Sequence, residues 1–253
     1  MTQRSKAFFI NGGAGRVLAS IPALEKYYEE TSKDFIIVCE GGMDLYKGHP
    51  TLHERAYDTW HKGIFQDKII NMEVVTPEPY RVWEYYNQKC NLQQGFDIEI
   101  NGKGVRELPK PFIHLSQEEK VNGKTVINDV TENIGLDKTI VFQPFGRGVH
   151  QHQGFVTDPT GRSFEYSNMV SIIKKLQTKG FAIIVMSEMQ FDFQKEQTPK
   201  PVAQPSEIGL KQWAAIIQEA DYFLGCDSVG QHIAHSLDKP TTVVTGSTFA
   251  ENI

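Results

Sequence analysis

Apolar residues fall in short runs that end at glycine-rich turns. The run at residues 7–10 is followed by a glycine-rich turn at 11–15, and apolar residues then recur at helical spacing from 17 to 28. A second apolar run, at 35–39, again ends at glycines. A strand, a glycine turn, a helix and a strand thus follow one another, which predicts a βαβ unit and a parallel sheet.

The same order of elements returns in the second half of the chain. Apolar runs predict strands at 139–144, 181–186, 222–225 and 241–244, and helical periodicity predicts helices at 164–177, 210–220 and 231–237. We therefore predict an α/β fold with two Rossmann-like domains, 1–135 and 136–253. Residues 43–112 have a weaker pattern, from which we predict a strand at 67–72 and a helix at 77–90.

Composition narrows the classes of function. The 253 residues carry a formal net charge of -5, which is unfavourable for general binding to nucleic acid. Three widely spaced cysteines, Cys39, Cys90 and Cys226, form no metal or disulfide pattern, so we expect buried reduced thiols. No apolar stretch approaches a membrane span, and the polar N-terminus lacks the features of a signal peptide. The expected location is the cytoplasm.

The glycine turn after the first strand has two interpretations. Gly12, Gly13 and Gly15 precede a predicted helix, where backbone N–H groups can bind a phosphate or shape a cleft. The same glycines are equally consistent with simple tight-turn geometry. Because Leu18 occupies the position of the third glycine, the dinucleotide fingerprint is absent, and no P-loop occurs.

A stronger pattern follows the predicted strand at 222–225. Asp227 and Ser228 open a helix, and Gly230 allows close backbone approach. Asp227 could accept a sugar hydroxyl or simply cap the helix, and His232 could reach a phosphate or serve the structure. The residues alone leave both alternatives open.

The run from 210 to 248 resembles the donor-binding signature of the heptosyltransferase-like family, glycosyltransferase family 9. The matching residues, in order and spacing, are Asp227, Ser228, His232, Lys239, Pro240, Gly246 and Thr248. The segment GGAGRVLASIPALEKY, at 12–27, is similar to the opening of that family. The resemblance covers most of 137–248 and about 7–40.

The resemblance implies a GT-B fold, in which the two Rossmann-like domains face each other across a cleft, the N-terminal one binding the acceptor and the C-terminal one the nucleotide-sugar donor. It also implies a metal-independent enzyme that needs no cofactor. The donor site would comprise Gly146, Arg147, Arg162, Glu188, Asp227, Ser228, Gly230, His232, Gly246, Ser247 and Thr248. Glu188 would meet the ribose or the base, and the three glycines at 12–15 would line the acceptor side of the cleft.

Two departures from the family pattern bear on catalysis and completeness. The family's general base, an Asp after the first glycines, is Arg16 here, which cannot accept a proton at neutral pH. Arg16 would contact acceptor or phosphate instead. Four residues in the loop region after the second strand are candidates to supply the base, and spacing singles out none of them: Asp44, His49, His53 and Asp58. The sequence also ends at Ile253, soon after the last predicted strand, so it is either a compact form or one lacking the crossing C-terminal helix.

These features together predict a glycosyltransferase that moves a sugar from a nucleotide-sugar to an acceptor hydroxyl with inversion. The acceptor is a glycan, a lipid-linked saccharide or a nucleic acid. One alternative is a glycosyltransferase acting on modified bases of DNA, for which basic residues between 103 and 124 would form a groove. Another is a catalytically silent sugar-nucleotide-binding module, which the missing Asp favours.

Overall fold

The chain folds into two compact units. The computed structural model describes residues 5–152 and 155–253. The first unit comprises the chain up to His114 together with the C-terminal segment Phe249–Ile253, and the second unit is Leu115–Thr248. The sequence-based boundary at 135 assigns residues 115–135 to the N-terminal domain, whereas the contacts of the structure group them with the second unit.

The first unit is built on a parallel sheet. Its elements are β1 (Lys6–Ile10), α1 (Ala14–Glu30), β2 (Phe35–Cys39), β3 (Ala56–Asp58), β4 (Glu73–Val75), α2 (Trp83–Tyr86) and α3 (Leu92–Asn101). The four strands lie in the order β3-β2-β1-β4 and all pair in parallel. This order matches half of a Rossmann sheet. Helix α1 continues through Pro22 and packs against α3.

Residues 64–86 differ from their predicted structure. The segment predicted as a strand at 67–72 begins as a π-helical turn, Ile64–Ile69, and β4 starts only at Glu73. Ile64 and Ile69, five residues apart, both pack onto the sheet, which suits the i to i+5 spacing of a π turn. The helix predicted at 77–90 is reduced to one turn because Val82 is extended.

The second unit contains a second parallel sheet. Its elements are α4 (Gln117–Ile134), β5 (Lys138–Gln143), β6 (His150–His152), β7 (Phe155–Thr157), α5 (Tyr166–Thr178), β8 (Phe181–Val185), α6 (Leu210–Glu219), β9 (Tyr222–Cys226), α7 (Val229–Ser236) and β10 (Thr241–Val244). The order is β10-β9-β5-β8, all parallel, and β6 and β7 form an antiparallel hairpin.

Helix α4 belongs to the second unit through close contact with α6. A Cβ on Gly123 would lie 2.6 Å from the Ala215 carbonyl oxygen, so the two backbones nearly touch. Lys211 of α6 also forms an ion pair with Glu119 of α4, at 3.1 Å. On the same sheet, α5 buries Met169 and Ile173 in the apolar core.

Strand order gives each sheet a point where the direction of winding reverses. In the second sheet the chain moves from β5 to β8 on one side and then to β9 on the other, so the direction of winding reverses between β5 and β9. In the first sheet the reversal lies between β1 and β4. Ligands of open α/β sheets bind at such points, beyond the carboxyl ends of the strands. The predicted α/β fold with parallel sheets is thereby confirmed. Among the described residues, no helix is long and apolar enough to cross a membrane.

Candidate functional site

The loops beyond β5, β9 and β10 meet at the reversal point of the second sheet. We call this region the second edge and define it as Gly146, residues 158–163, Asp227, Ser228 and residues 246–248. It unites residues that lie as much as 102 positions apart in the sequence. Most of the predicted donor-site residues are therefore brought together.

Asp227 joins three parts of the second edge. Its Oδ1 accepts a hydrogen bond from Gln231 Nε2 at 2.7 Å, and its Oδ2 accepts one from the Thr248 hydroxyl. The same Oδ2 lies 3.8 Å from the guanidinium of Arg162. The carboxylate is almost fully buried, whereas one third of the Arg162 side chain is exposed. Asp227 therefore positions its neighbours, and Arg162 is the charge that the edge presents to solvent.

Asp158 fixes the loop that carries Arg162. Its carboxylate accepts hydrogen bonds from the backbone N–H and the hydroxyl of both Thr160 and Ser163. Burial alone would raise the pKa of Asp158, but these bonds outweigh it and lower the pKa to about 2. The Ser163 hydroxyl in turn accepts the Gly146 N–H at 3.0 Å. Sequence reasoning missed Asp158, although Asp-x-Thr-Gly-x-Ser is typical of an Asx turn.

Gly246 allows the loop after β10 to lie on the Arg162 loop. A Cβ on Gly246 would be only 2.0 Å from the Gly161 carbonyl oxygen. Ser247 donates its N–H to that oxygen at 3.1 Å and its hydroxyl to the Thr160 carbonyl at 2.6 Å. The predicted donor residues Gly246, Ser247 and Thr248 are thus tied directly to the loop that presents Arg162.

Gly230 is required by Gln143, a residue that sequence reasoning did not single out. The Gly230 N–H donates to Gln143 Oε1 at 2.8 Å, and a Cβ there would be 2.4 Å from this oxygen and 2.5 Å from the Phe223 ring. Gln143 Nε2 donates to the Ser228 hydroxyl at 3.3 Å. Ser228 occupies the N-cap position of α7, but its side chain makes no capping hydrogen bond.

His232 is held in its neutral form. It lies half-buried on α7, one turn after Ser228. Desolvation lowers its pKa to about 4, outweighing the opposing effect of Asp227, and His235 lowers the pKa further. A neutral imidazole at pH 7 can donate or accept a hydrogen bond but contributes no charge to an anion site.

Two predicted donor residues lie outside this network. Arg147 is exposed in the turn after β5, and Glu188 is exposed beyond the end of β8. Both follow strands of the same sheet, so they lie on its ligand-binding side. Neither is hydrogen-bonded to the residues of the second edge in the described part of the chain.

The first unit has its own edge at the carboxyl ends of its strands. We call this region the first edge and define it as Gly12, Gly13, Arg16, Glu40 and Glu78. Gly12 adopts a φ of +86° and donates its N–H to Glu40 Oε2 at 2.5 Å, and Gly13 is the N-cap residue of α1. Gly15 lies in the first turn of that helix.

The Arg16 side chain is largely covered by protein groups and is 13% exposed. Its guanidinium lies 3.4 Å from the Glu78 carboxylate and donates to the Pro77 carbonyl oxygen at 2.9 Å. It also lies over the rings of Tyr80 and Phe96, at 5.1 and 5.5 Å from their centroids. These contacts bind the loop after β4 to α1, across the reversal point of the first sheet.

Two of the four candidate bases lie elsewhere. Asp44 is exposed and forms a local ion pair with Lys47 at 2.5 Å. His49 is 3% exposed, and its Nδ1 accepts the N–H groups of Thr51 and Leu52. Its Nε2 lies 3.2 Å from Glu25, but out of line for a hydrogen bond. His49 thus organises a buried turn, and Asp44 lies on a surface turn.

Among the described residues, neither the cysteines nor the possible metal-ligating side chains form a further candidate site. All three cysteines are free and buried, as predicted. Burial raises the pKa of Cys39 and Cys226 to about 12, which makes both thiols unreactive at neutral pH. Among residues 5–152 and 155–253, no three His, Cys, Asp or Glu side chains lie close enough together to hold a metal ion.

Comparison with known proteins decides the fold. The chain matches no family model and no curated protein sequence. It is similar to the glycosyl transferase family 9 structure from Veillonella parvula DSM 2008, with a TM-score of 0.66, 12% identity, and 95% of this chain and 80% of that chain covered. It is also similar to the Escherichia coli ADP-heptose LPS heptosyltransferase II, with a TM-score of 0.62 and 10% identity. That match covers 95% of this chain and 84% of the heptosyltransferase chain.

The chain has the heptosyltransferase-like fold of glycosyltransferase family 9. A third similar structure with this fold is the iron-containing dodecameric glycosyltransferase TibC from enterotoxigenic E. coli H10407, with a TM-score of 0.59 and 13% identity. That match covers 99% of this chain and 62% of the TibC chain. Identities this low establish the shared fold, while activity has to be argued from the site.

Proposed function

We propose that this protein is a nucleotide-sugar-dependent glycosyltransferase that transfers a glycosyl group to an acceptor hydroxyl with inversion and without a metal ion. One observation carries the proposal. At the reversal point of a sheet with the family 9 fold, buried Asp227 and partly buried Asp158 hold Arg162 as a partly exposed cation. A fixed guanidinium suits a diphosphate.

The second unit binds the donor in this proposal. Arg162 pairs with the diphosphate, and exposed Arg147 adds a second positive charge. When the bond between the anomeric carbon and the phosphate oxygen breaks, negative charge develops on the diphosphate, and these cations stabilise the leaving group. Asp227 and Asp158 fix Arg162 before the substrate arrives. Such preorganisation lowers the barrier because no solvent has to reorganise during the reaction.

The first unit binds the acceptor in this proposal. In this unit the glycine turn after β1 lies at the reversal point of the first sheet, and Glu40 and Glu78 lie beside it. A saccharide hydroxyl can be hydrogen-bonded there. Inversion requires the hydroxyl to attack the anomeric carbon from the face opposite the diphosphate, with loss of its proton to a base. Asp44 and His49 have no part in this scheme, since one is paired on the surface and the other is buried.

A silent binding module is the second candidate. It is favoured by Arg16, which occupies the position where the family pattern has the Asp that acts as general base. The Arg16 guanidinium contacts Glu78 and two aromatic rings. The DNA-directed alternative has less support. Of the basic residues between 103 and 124, Lys103 and Arg106 both form ion pairs with Glu30, and Arg106 also pairs with Asp97.

The proposal is tested by a thermal-shift titration against ADP, GDP, UDP, CDP and their sugars, followed by assay of nucleoside diphosphate release. We expect one nucleotide to raise the melting temperature saturably, since a ligand at 100 times its Kd stabilises the folded state by about 2.7 kcal/mol. ADP-heptose is the first donor to test, because heptosyltransferase II shares the fold. Release that persists in EDTA supports the metal-free reaction. Binding without release supports the silent module, and a flat response to every nucleotide contradicts both candidates.

A further inference from the structure

The proposed reaction needs a proton acceptor, and the position of Arg16 makes its identity an open question. A guanidinium stays protonated at neutral pH, so Arg16 cannot accept a proton from a hydroxyl. Its burial against Tyr80 and Phe96 also holds it in one arrangement. A base for this reaction must therefore be another group at the first edge.

Of the described acidic residues at the carboxyl ends of the strands in the first sheet, Asp58 ends β3, two strands away from β1, whereas Glu40 and Glu78 contact Gly12 and Arg16. Glu78 faces the Arg16 guanidinium at 3.4 Å, so its negative charge is balanced and its Oε2 is directed at a cation. Proton transfer to a carboxylate in this position would leave Arg16 without its counter-ion. Glu78 is suited to holding Arg16 in place rather than to taking a proton.

Glu40 has the position and the free atom that a base requires. It is the first residue after β2, and its backbone N–H donates to the Ile10 carbonyl oxygen at 3.3 Å, which fixes it beside the end of β1. Its Oε2 accepts the Gly12 N–H at 2.5 Å. In the described part of the chain Oε1 makes no hydrogen bond or ion pair, and the residue is exposed. One oxygen therefore anchors the carboxylate, and the other faces solvent.

Gly12 connects this carboxylate to the rest of the first edge. A Cβ on Gly12 would lie 3.0 Å from Cδ of Arg16, so the glycine has Arg16 packed against its Cα and the Glu40 carboxylate hydrogen-bonded to its N–H. Its φ of +86° favours glycine at this position. Glu40, Gly12, Arg16 and Glu78 thus form one chain of contacts along the carboxyl ends of β2, β1 and β4.

From this arrangement we infer that Glu40 is the general base of the transfer reaction, an inference that rests on the proposed function. The acceptor O–H gives its proton to Glu40 Oε1, and its oxygen forms a bond to the anomeric carbon of the donor. The bond from that carbon to the diphosphate oxygen breaks, and the electron pair leaves with the nucleoside diphosphate. Glu40 then loses the proton to water. With water as acceptor, the same steps hydrolyse the donor.

The test compares Glu40→Gln with Glu73→Gln in the full chain. The Gln variant of residue 40 retains an oxygen for the Gly12 N–H but cannot take a proton. Glu73 is an exposed carboxylate at the opposite, amino end of the same sheet, so its variant is a matched control. The probes are ADP-heptose with water as acceptor, followed by release of ADP, and ADP binding by calorimetry. The same assay is run on the donors of the other nucleotides.

We expect Glu40→Gln to lower kcat by about 10²–10⁴-fold, the usual contribution of a general base, while the donor KM and the ADP Kd change less than about threefold. Added formate should restore part of the turnover of Glu40→Ala, since a small carboxylate can take the vacated place. Glu73→Gln should match the wild type.

Each other outcome overturns a defined part of the account. If Glu40→Gln turns over the donor as fast as the wild type, Glu40 is not the base, and the glycosyltransferase proposal is unaffected. A wild-type protein that binds a nucleoside diphosphate but turns over no donor refutes both, in favour of the binding module. A drop in the melting temperature of Glu40→Gln with a parallel loss of ADP binding assigns the residue a structural role and contradicts the inference.

Discussion

At the second edge a buried carboxylate, Asp227, joins several side chains and the cation Arg162 is partly exposed, whereas at the first edge the cation Arg16 is enclosed by protein groups and the carboxylate of Glu40 is exposed. Asp227 alone contacts Gln231, Thr248 and Arg162. Glu40 contacts only one backbone N–H of the first edge, that of Gly12. The second edge is thus preorganised around a cation by one buried and one partly buried acid, Asp227 and Asp158, and the first edge presents a carboxylate.

This contrast indicates a division of labour within one fold. A binding site for a multiply charged group benefits from a fixed cation, because holding that cation in place before binding avoids ordering it at the moment of binding. A group that takes a proton has to keep an atom accessible to the substrate. Under the proposed function, the two Rossmann-like sheets serve two chemistries, which depend on whether a carboxylate is buried behind an arginine or left exposed.

The largest expected effect comes from Asp227→Ala. Three partners lose a buried acceptor, so we expect unfolding free energy to fall by about 2–4 kcal/mol. Affinity for the nucleoside diphosphate should fall more than tenfold, because Arg162 loses its positioning partner. Urea unfolding and calorimetry measure the two changes.

Asp192→Ala is the control for that substitution. Asp192 is an exposed carboxylate of the second unit, paired only with nearby Lys195 and local backbone. We expect the midpoint of its urea unfolding to match that of the wild type. If Asp227→Ala were as mild as this control, the second edge would not be a cooperative network.

A smaller effect is expected from Gly230→Ala. Its new Cβ would collide with Gln143 and Phe223, at 2.4 and 2.5 Å, so we expect a loss of about 1–3 kcal/mol. Gly104→Ala, in the first unit, meets no atom within 4 Å and should leave the melting temperature nearly unchanged. Equal melting temperatures for the two variants would show that α7 can shift away from β5, contrary to a rigid second edge.

The smallest effect concerns pH. The pKa of His232 is about 4 when folded and about 6.5 when unfolded, so below pH 6.5 the unfolded state binds more protons. The stability that neutral His232 confers is full above pH 6.5 and is lost as pH falls towards 4. Between pH 7 and 5 we expect wild type to lose about 1–2 kcal/mol more than His232→Gln.

Urea unfolding at the two pH values checks this difference. The exposed His61 provides the control, since His61→Gln should follow the wild-type pH dependence. A wild-type curve that runs parallel to that of His232→Gln would mean that solvent reaches the His232 imidazole and that its pKa is ordinary.

The second unit was the more predictable from sequence. Its strands are apolar runs and its glycines stand at turns, so the elements and most members of the second edge follow from pattern and resemblance. The sequence pattern does not reveal which side chains of the second edge are hydrogen-bonded to one another. Gln143 and Asp158 were missed because their roles depend on contacts across loops, and Asp158 makes its bonds only because the chain turns back at Gly161.

The first unit was less predictable beyond its first βαβ unit. The strand predicted at 67–72 is wrong in its first half, because Ile64 and Ile69 pack onto the sheet from a rare π turn. Asp44 and His49 were chosen by position in the loop after β2. Glu40 directly follows that strand and belongs to no sequence motif. Its place in the first edge depends on its hydrogen bond to the Gly12 N–H, which the sequence does not reveal.

The central claim is that the second edge, and not the first, binds the nucleoside diphosphate. Its most direct test is the calorimetric Kd of the preferred nucleoside diphosphate for wild type, Arg162→Gln and Arg16→Gln. We expect loss of Arg162 to weaken binding by about 10–100-fold, since a hydrogen bond to a charged group contributes about 1.5–3 kcal/mol. Loss of Arg16 should change the Kd less than about threefold. A larger loss of affinity in Arg16→Gln than in Arg162→Gln would contradict the account and assign the diphosphate to the first unit.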